Sequence, residues 1–130
     1  MSGGNFSVQT ALTYLVACSG ACSNLGQLSS KVLLGLAREG YGKPFCLAGL
    51  AAHLPGFLER AKQGEFLVID GCPQQCALKT VEHAGFKASQ AVVIAKLGVE
   101  KSNVLDIPQE EVEKVLESAK EALACKGGTS

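Results

Sequence analysis

Six cysteines give this chain of 130 residues its clearest capacity for chemistry. Cys18 and Cys22 form one C-x₃-C pair, Cys72 and Cys76 form a second, and Cys46 lies between the two pairs in sequence. Thiolates bind metal ions and take part in redox and nucleophilic reactions. A single buried cysteine is usually only a small hydrophobe, so the pattern gains meaning if folding brings several thiols together.

The segments that lead into these cysteines are short and apolar, as is typical of strands buried on both faces. Three of them end at or near a cysteine, and a fourth lies further along the chain: 12–18, 43–47, 66–69 and 90–95. Apolar residues recur at helical spacing between these segments and after the last of them. The alternation predicts a single three-layer α/β/α domain with a mostly parallel four-stranded sheet.

Local signals indicate where the predicted helices begin. Asn24 is expected to cap the first helix, with Gln27 completing a capping-box pair. Cys72 is expected to cap another helix that begins at Pro73. Gly71, just before it, is expected to supply a backbone conformation that other residues resist. Two more helices are predicted at 55–64 and after residue 108.

The size of the chain fits one folded unit. We expect a single domain over 1–130, with its core at about 11–124 and flexible tails at 1–10 and 125–130. No apolar run approaches the roughly 20 residues that span a membrane, and the N-terminus lacks the basic start of a secretory signal. These features predict a cytoplasmic protein without a membrane partner, whose thiols stay reduced.

Twelve basic and twelve acidic side chains balance each other. A protein that binds nucleic acid usually has a basic excess, because neutralising phosphates drives its affinity. The chain also has no tryptophan, two tyrosines and five phenylalanines, which is little material for stacking on bases. We therefore expect no nucleic-acid partner, and the sequence leaves a protein partner open.

The carboxyl ends of parallel strands meet at one edge of a sheet, where such folds bind ligands. We therefore expect a common thiol site formed by Cys18, Cys46 and Cys72, with Cys22 and Cys76 about one helical turn further along. Zinc is the leading expectation for its occupant, because zinc takes four tetrahedral ligands that are commonly thiolates.

Five thiols exceed the four ligands of a closed zinc site. The first choice combines three cysteines at strand ends with one on a helix: Cys18, Cys46, Cys72 and Cys76. Cys22 is then an alternative ligand, a redox partner or a neighbouring thiol. Cys125 lies on the polar side of the last predicted helix, where we expect an exposed thiol without a role.

Three other side chains near these segments have both an ordinary and a chemical interpretation. Asp70 is expected to accept N–H bonds from its turn, and a role in supporting a metal ligand or handling a proton is the alternative. His53 is expected at a helix start, with a ligand or general-acid role as its alternative. His83 is expected on the surface.

Two other kinds of thiol chemistry stay open. A thiol-based redox or sulfur-transfer enzyme is one, although the chain lacks the C-x-x-C of thioredoxin-like proteins and a C-x₅-R phosphatase loop. An iron–sulfur protein is the other, although no C-x₂-C-x₂-C run occurs. No glycine-rich nucleotide-binding fingerprint is present, so nucleotide-dependent enzymes are not expected.

Three segments together resemble the DGC-domain family. They are CSGACSNLGQ at 18–27, CLAGL at 46–50 and DGCPQQCA at 70–77, and the last contains the tripeptide that names the family. The resemblance extends over roughly residues 12 to 107. It implies a small prokaryotic protein with four cysteines capable of chelating zinc, and it implies no particular biochemical role.

Overall fold

The computed structural model describes residues 12–18 and 20–127 of the chain. The described part of the sheet contains four strands: β1 (Leu12–Ala17), β2 (Lys43–Pro44), β3 (Gly64–Asp70) and β4 (Ala88–Val93). They lie in the order β2-β1-β3-β4, and every neighbouring pair is parallel. The predicted parallel sheet is confirmed.

Helices connect the strands and follow the last of them. They are α1 (Asn24–Arg38), α2 (Leu47–Ala51), α3 (Pro55–Ala61), α4 (Cys76–His83) and α5 (Gln109–Gly127), with a 3₁₀ turn at Ile94–Leu97. Each crossover between parallel strands therefore contains at least one helix or helical turn, as parallel pairing requires.

Side chains along the strands alternate between the two faces of the sheet. On one face, Leu15 and Ile69 pack in a core with apolar residues of α1 and α5. On the other face, Val16 and Val68 pack in a second core with residues of α2, α3 and α4. Helices cover both faces of the sheet, so the predicted α/β architecture is confirmed.

The second strand is shorter than the predicted 43–47. Only Lys43–Pro44 pairs with β1, and both residues are exposed at the edge of the described sheet. Pro44 has no N–H to donate to a ladder, which suits an edge position. The chain then turns into α2, with Cys46 as its N-cap.

The fourth strand begins and ends two residues earlier than the predicted 90–95. It ends at Val93, and the 3₁₀ turn follows. The N–H of Ala95 donates to the carbonyl of Gly71 at 3.0 Å. This bond draws the chain towards the end of β3 instead of continuing the strand.

Asn24 does not cap α1 as predicted, because Ser23 is the N-cap residue. The buried Asn24 side chain instead donates to the Glu100 carbonyl at 2.9 Å and accepts from the Ser102 N–H at 2.7 Å. Gln27 likewise donates to the Val104 carbonyl rather than closing a capping box. These bonds fasten the segment before α5 to the start of α1.

The last helix reaches Gly127, beyond the predicted start of a tail at 125. The other predicted tail residues, at 1–10 and 128–130, lie outside the described residues. Among the described helices, none is long and apolar enough to cross a membrane.

Candidate thiol site

The strand order places a natural crevice between β1 and β3. From β1 the chain leads through α1 to β2 on one side, and from β3 it leads through α4 to β4 on the other. Connections that depart in opposite directions leave an opening at the carboxyl ends of the two strands. Cys18 follows β1 directly, and Gly71 and Cys72 follow β3 directly.

A cavity of about 300 Å³ occupies this position. Four of the five predicted site cysteines contribute to its lining: Cys18, Cys22, Cys72 and Cys76. Leu25 and Leu47 contribute apolar surface, and Lys101 contributes a positive charge. Two segments about fifty residues apart in sequence thus contribute thiols to one cavity.

The fifth cysteine, Cys46, does not line this cavity, although its neighbour Leu47 does. Its sulfur accepts the Gly49 N–H at 3.3 Å and caps α2. The side chain is exposed. Cys125 is exposed on α5, as the sequence predicted.

Cys18 has the most elaborate surroundings of the four lining cysteines. The N–H of Gly71 donates to its sulfur at 3.2 Å, and the hydroxyl of the fully buried Ser29 lies 3.3 Å from the same sulfur. The same hydroxyl, which has one proton to donate, lies 2.7 Å from the carbonyl oxygens of both Cys18 and Gly26. These contacts hold Cys18 between the ends of β1 and β3 and the second turn of α1.

Asp70, the last residue of β3, caps the N-terminus of α4. Its carboxylate accepts the N–H of Ala77 at 2.7 Å and the N–H of Leu78 at 3.0 Å. The side chain is only 1% exposed. Burial raises the pKa of Asp70 above its usual value of 3.8, and the bonds from Ala77 and Leu78 oppose that shift.

This cap explains why α4 begins later than predicted. Gln75 is the N-cap residue and adopts a left-handed conformation, and Cys76 is the first helical residue. Cys72 and Pro73 lie instead in a turn in which the Gln75 N–H donates to the Cys72 carbonyl at 3.0 Å. The helix start receives its acceptor from the preceding strand and not from a neighbouring side chain.

Asp70→Asn should lower the free energy of unfolding by about 2 kcal/mol near neutral pH, because an amide leaves one buried N–H of α4 without its acceptor. Burial raises the pKa of Asp70. The wild-type carboxyl therefore stabilises the fold most below about pH 3.8, and this stabilisation falls as the pH rises through the raised pKa. The difference in free energy of unfolding between wild type and Asp70→Asn should therefore become smaller as the pH rises.

Urea denaturation of both proteins across this pH range measures the effect. Asp106→Asn, at the chain's other and exposed aspartate, is the control and should stay within about 0.5 kcal/mol of wild type. Equal stability of the two variants at every pH would contradict the capping role.

The family model for the DGC domain matches residues 14–119. The chain belongs to the DGC domain family. Its sequence is also similar to the anaerobic and virulence modulator AnvM of Pseudomonas aeruginosa, with 39% identity over 66 residues that cover 50% of each chain. The match thus spans half the length of this curated relative. No solved structure matches the chain.

The tripeptide that names the DGC domain has a structural explanation at each position. Asp70 caps α4, and Cys72 lines the cavity. Gly71 has no left-handed φ, so the predicted reason for this glycine is wrong. Position 71 requires glycine because there is no room for a side chain. A Cβ there would lie 2.6 Å from the carbonyl carbon and oxygen of Leu25.

A second glycine of this DGC domain meets the same restriction. A Cβ on Gly26 would collide with the carbonyl group of Gly20. Gly26 lies in the first turn of α1, and Gly20 lies between the two cysteines of the first pair. Backbone therefore packs directly on backbone where the Cys18–Cys22 segment, α1 and the end of β3 meet. Sequence reasoning missed this contact.

The four lining thiols are the kind of donor that zinc prefers. Within the part of the chain that the structure describes, no three His, Cys, Asp or Glu side chains are grouped closely enough to hold a metal ion. The donor chemistry therefore fits a thiolate-bound metal. The thiols line the same cavity, but they are not arranged as the coordination sphere of an ion.

Proposed function

We propose that this DGC domain is a small metal-binding protein that holds one zinc ion through cysteine thiolates in the 300 Å³ cavity. The observation that supports the proposal best is the convergence of two C-x₃-C pairs on that cavity. Thiolates bind zinc at about 2.3 Å in tetrahedral sites. Zinc, when bound, would supply a cross-link between the segment after β1 and the turn after β3.

The proposed ligands are Cys18, Cys22, Cys72 and Cys76, which replaces the first choice made from sequence. Cys46 contributes to no part of the cavity lining and already caps α2. Cys22, which sequence reasoning treated as the spare thiol, takes its place. With Cys22 in place of Cys46, the two C-x₃-C pairs contribute ligands in the same way. Each pair provides one cysteine near the end of a strand and a second cysteine four residues later.

Two groups at the largely apolar cavity favour a negatively charged centre. Four thiolates around Zn²⁺ carry a net charge of about −2. The Gly71 N–H already donates to the sulfur of Cys18, and Lys101 lines the same cavity. Both groups offset negative charge on sulfur, which reduces the cost of bringing four thiolates together.

Elemental analysis of gently purified protein, paired with thiol titration, tests this proposal. We expect about one zinc per chain, with Cys46 and Cys125 reacting at once and the four lining thiols reacting only after a chelator and denaturant are added. Metal-free protein in which all six thiols titrate at once would refute it.

A thiol-based redox or sulfur-transfer function is the second proposal. It is favoured by the contacts of Cys18, whose sulfur has a backbone N–H donor and a buried hydroxyl beside it. The relative AnvM is named an anaerobic and virulence modulator, which suits thiols that respond to oxidation. Zinc-free protein whose Cys18 alkylates rapidly near neutral pH would favour this function.

An iron–sulfur cluster is the remaining occupant that thiolates commonly hold. A brown colour after anaerobic purification would favour it over zinc. For all three functions we propose a cytoplasmic location, because free thiols persist in reducing compartments.

A further inference from the structure

The chain contains two histidines, and the structure brings them together away from the thiol cavity. His53 lies in the turn between α2 and α3, and His83 is the last residue of α4. Nε2 of His53 lies 3.3 Å from Nδ1 of His83, and the ring centroids are 5.2 Å apart. Both side chains are exposed, so the pair is open to ions in solution.

The backbone at His53 is strained. Its φ is +56°, in the left-handed region that residues with a side chain adopt at a cost. Among the described residues other than glycine, Gln75 at the start of α4 also has a positive φ. His53 thus has an unfavourable backbone conformation, and its imidazole contacts His83 at the C-terminal end of α4.

The separation of the two nitrogens matches that of ligands on one ion. Two nitrogens bound to tetrahedral zinc at 2.0–2.1 Å lie about 3.3–3.4 Å apart. Imidazole suits zinc, copper and nickel among divalent ions. The negative end of the α4 dipole, where His83 lies, also favours a cation.

We infer that His53 and His83 form a second metal site, for a divalent transition-metal ion such as zinc. Nε2 of His53 and Nδ1 of His83 are the protein ligands, and water completes the coordination. With two protein ligands this site binds more weakly than the proposed thiolate site, so it fills second. The two sites would lie at opposite ends of α4, about 10 Å apart along the helix.

Nitrogen-15 NMR of the imidazole rings tests the site during a zinc titration of the 130-residue chain. Because the chain has two histidines, every imidazole signal belongs to this pair. Once the first equivalent is bound, further zinc should shift Nε2 of His53 and Nδ1 of His83. The other nitrogen of each ring should keep its proton.

Two single variants show whether the histidines act as a pair. His53→Asn retains a residue type that tolerates left-handed φ, and His83→Gln retains a polar side chain of similar reach. Each should abolish the zinc-induced shift of the remaining imidazole at the same zinc concentration. Unchanged shifts in the variants, no shift with excess zinc, or coordination of His83 through Nε2 would overturn the inference.

The same titration separates this inference from the proposed function. If the cavity does not bind zinc, the imidazole signals shift from the first equivalent. If the histidine site is absent but the cavity binds zinc, the first equivalent is taken up and the imidazole signals never move.

Discussion

Gly26→Ala should lower the free energy of unfolding by about 2 kcal/mol or more. The new Cβ would collide with the carbonyl group of Gly20, and neither backbone segment can move without disturbing the ends of α1 and β1. Forcing atoms into closely packed structure typically costs about 1–3 kcal/mol and sometimes more. The gain of about 1 kcal/mol from replacing a helical glycine by alanine offsets only part of this cost.

Gly56→Ala is the matched control for this prediction. Gly56 also lies in the first turn of a helix, α3, and a Cβ there would meet no atom within 4 Å. The control should be neutral or stabilising by about 0.5 kcal/mol. Urea denaturation of wild type, Gly26→Ala and Gly56→Ala measures the free energies of unfolding. Equal stability of the two variants would show that the close backbone contact at Gly26 does not restrict this position.

Replacing any one of the four proposed ligands by serine should weaken zinc binding strongly. Loss of a group that merely supports a metal ligand costs about ten- to hundredfold in affinity, so loss of a ligand should cost at least that much. Competition with a chromophoric chelator measures the affinity of each variant: Cys18→Ser, Cys22→Ser, Cys72→Ser and Cys76→Ser. Thermal melting of the metal-free proteins separates loss of binding from loss of folding.

The two remaining cysteines provide controls of different kinds. Cys125→Ser should bind zinc like wild type, because Cys125 is exposed on α5. Cys46→Ser should also retain zinc, because Cys46 lies outside the cavity lining. If Cys46→Ser lost zinc while Cys22→Ser retained it, the ligand set first chosen from sequence would be correct and the set proposed from the cavity would be wrong.

The sequence predicted those features that depend on local pattern. Short apolar runs and helical periodicity located the four strands and the helices α1, α3, α4 and α5 within a few residues, whereas α2 was not predicted as a separate helix. The rule that parallel strands end at one edge predicted a common location for Cys18 and Cys72, which line the same cavity. These predictions were correct because the periodicities of strands and helices can be recognised in a single sequence. A general rule for parallel sheets then places the strand ends at one edge.

Features that depend on contacts between distant segments were not predicted. Asp70 caps a helix that begins six residues later, so a search for a local cap finds Cys72 instead. Asn24 has the residue type of a cap, yet it bonds to the backbone near residue 101. The exclusion of Cys46 from the cavity depends on its place as the N-cap of α2. The pairing of His53 with His83 depends on how α4 packs against α2.

X-ray absorption at the zinc edge tests the central claim most directly, with the protein loaded to about one equivalent of zinc. The account predicts a first shell of four sulfur atoms at about 2.3 Å, unchanged in Cys46→Ser and in the two histidine variants. A first shell of nitrogen or oxygen atoms near 2.0 Å, or protein that retains no stoichiometric zinc, would contradict it.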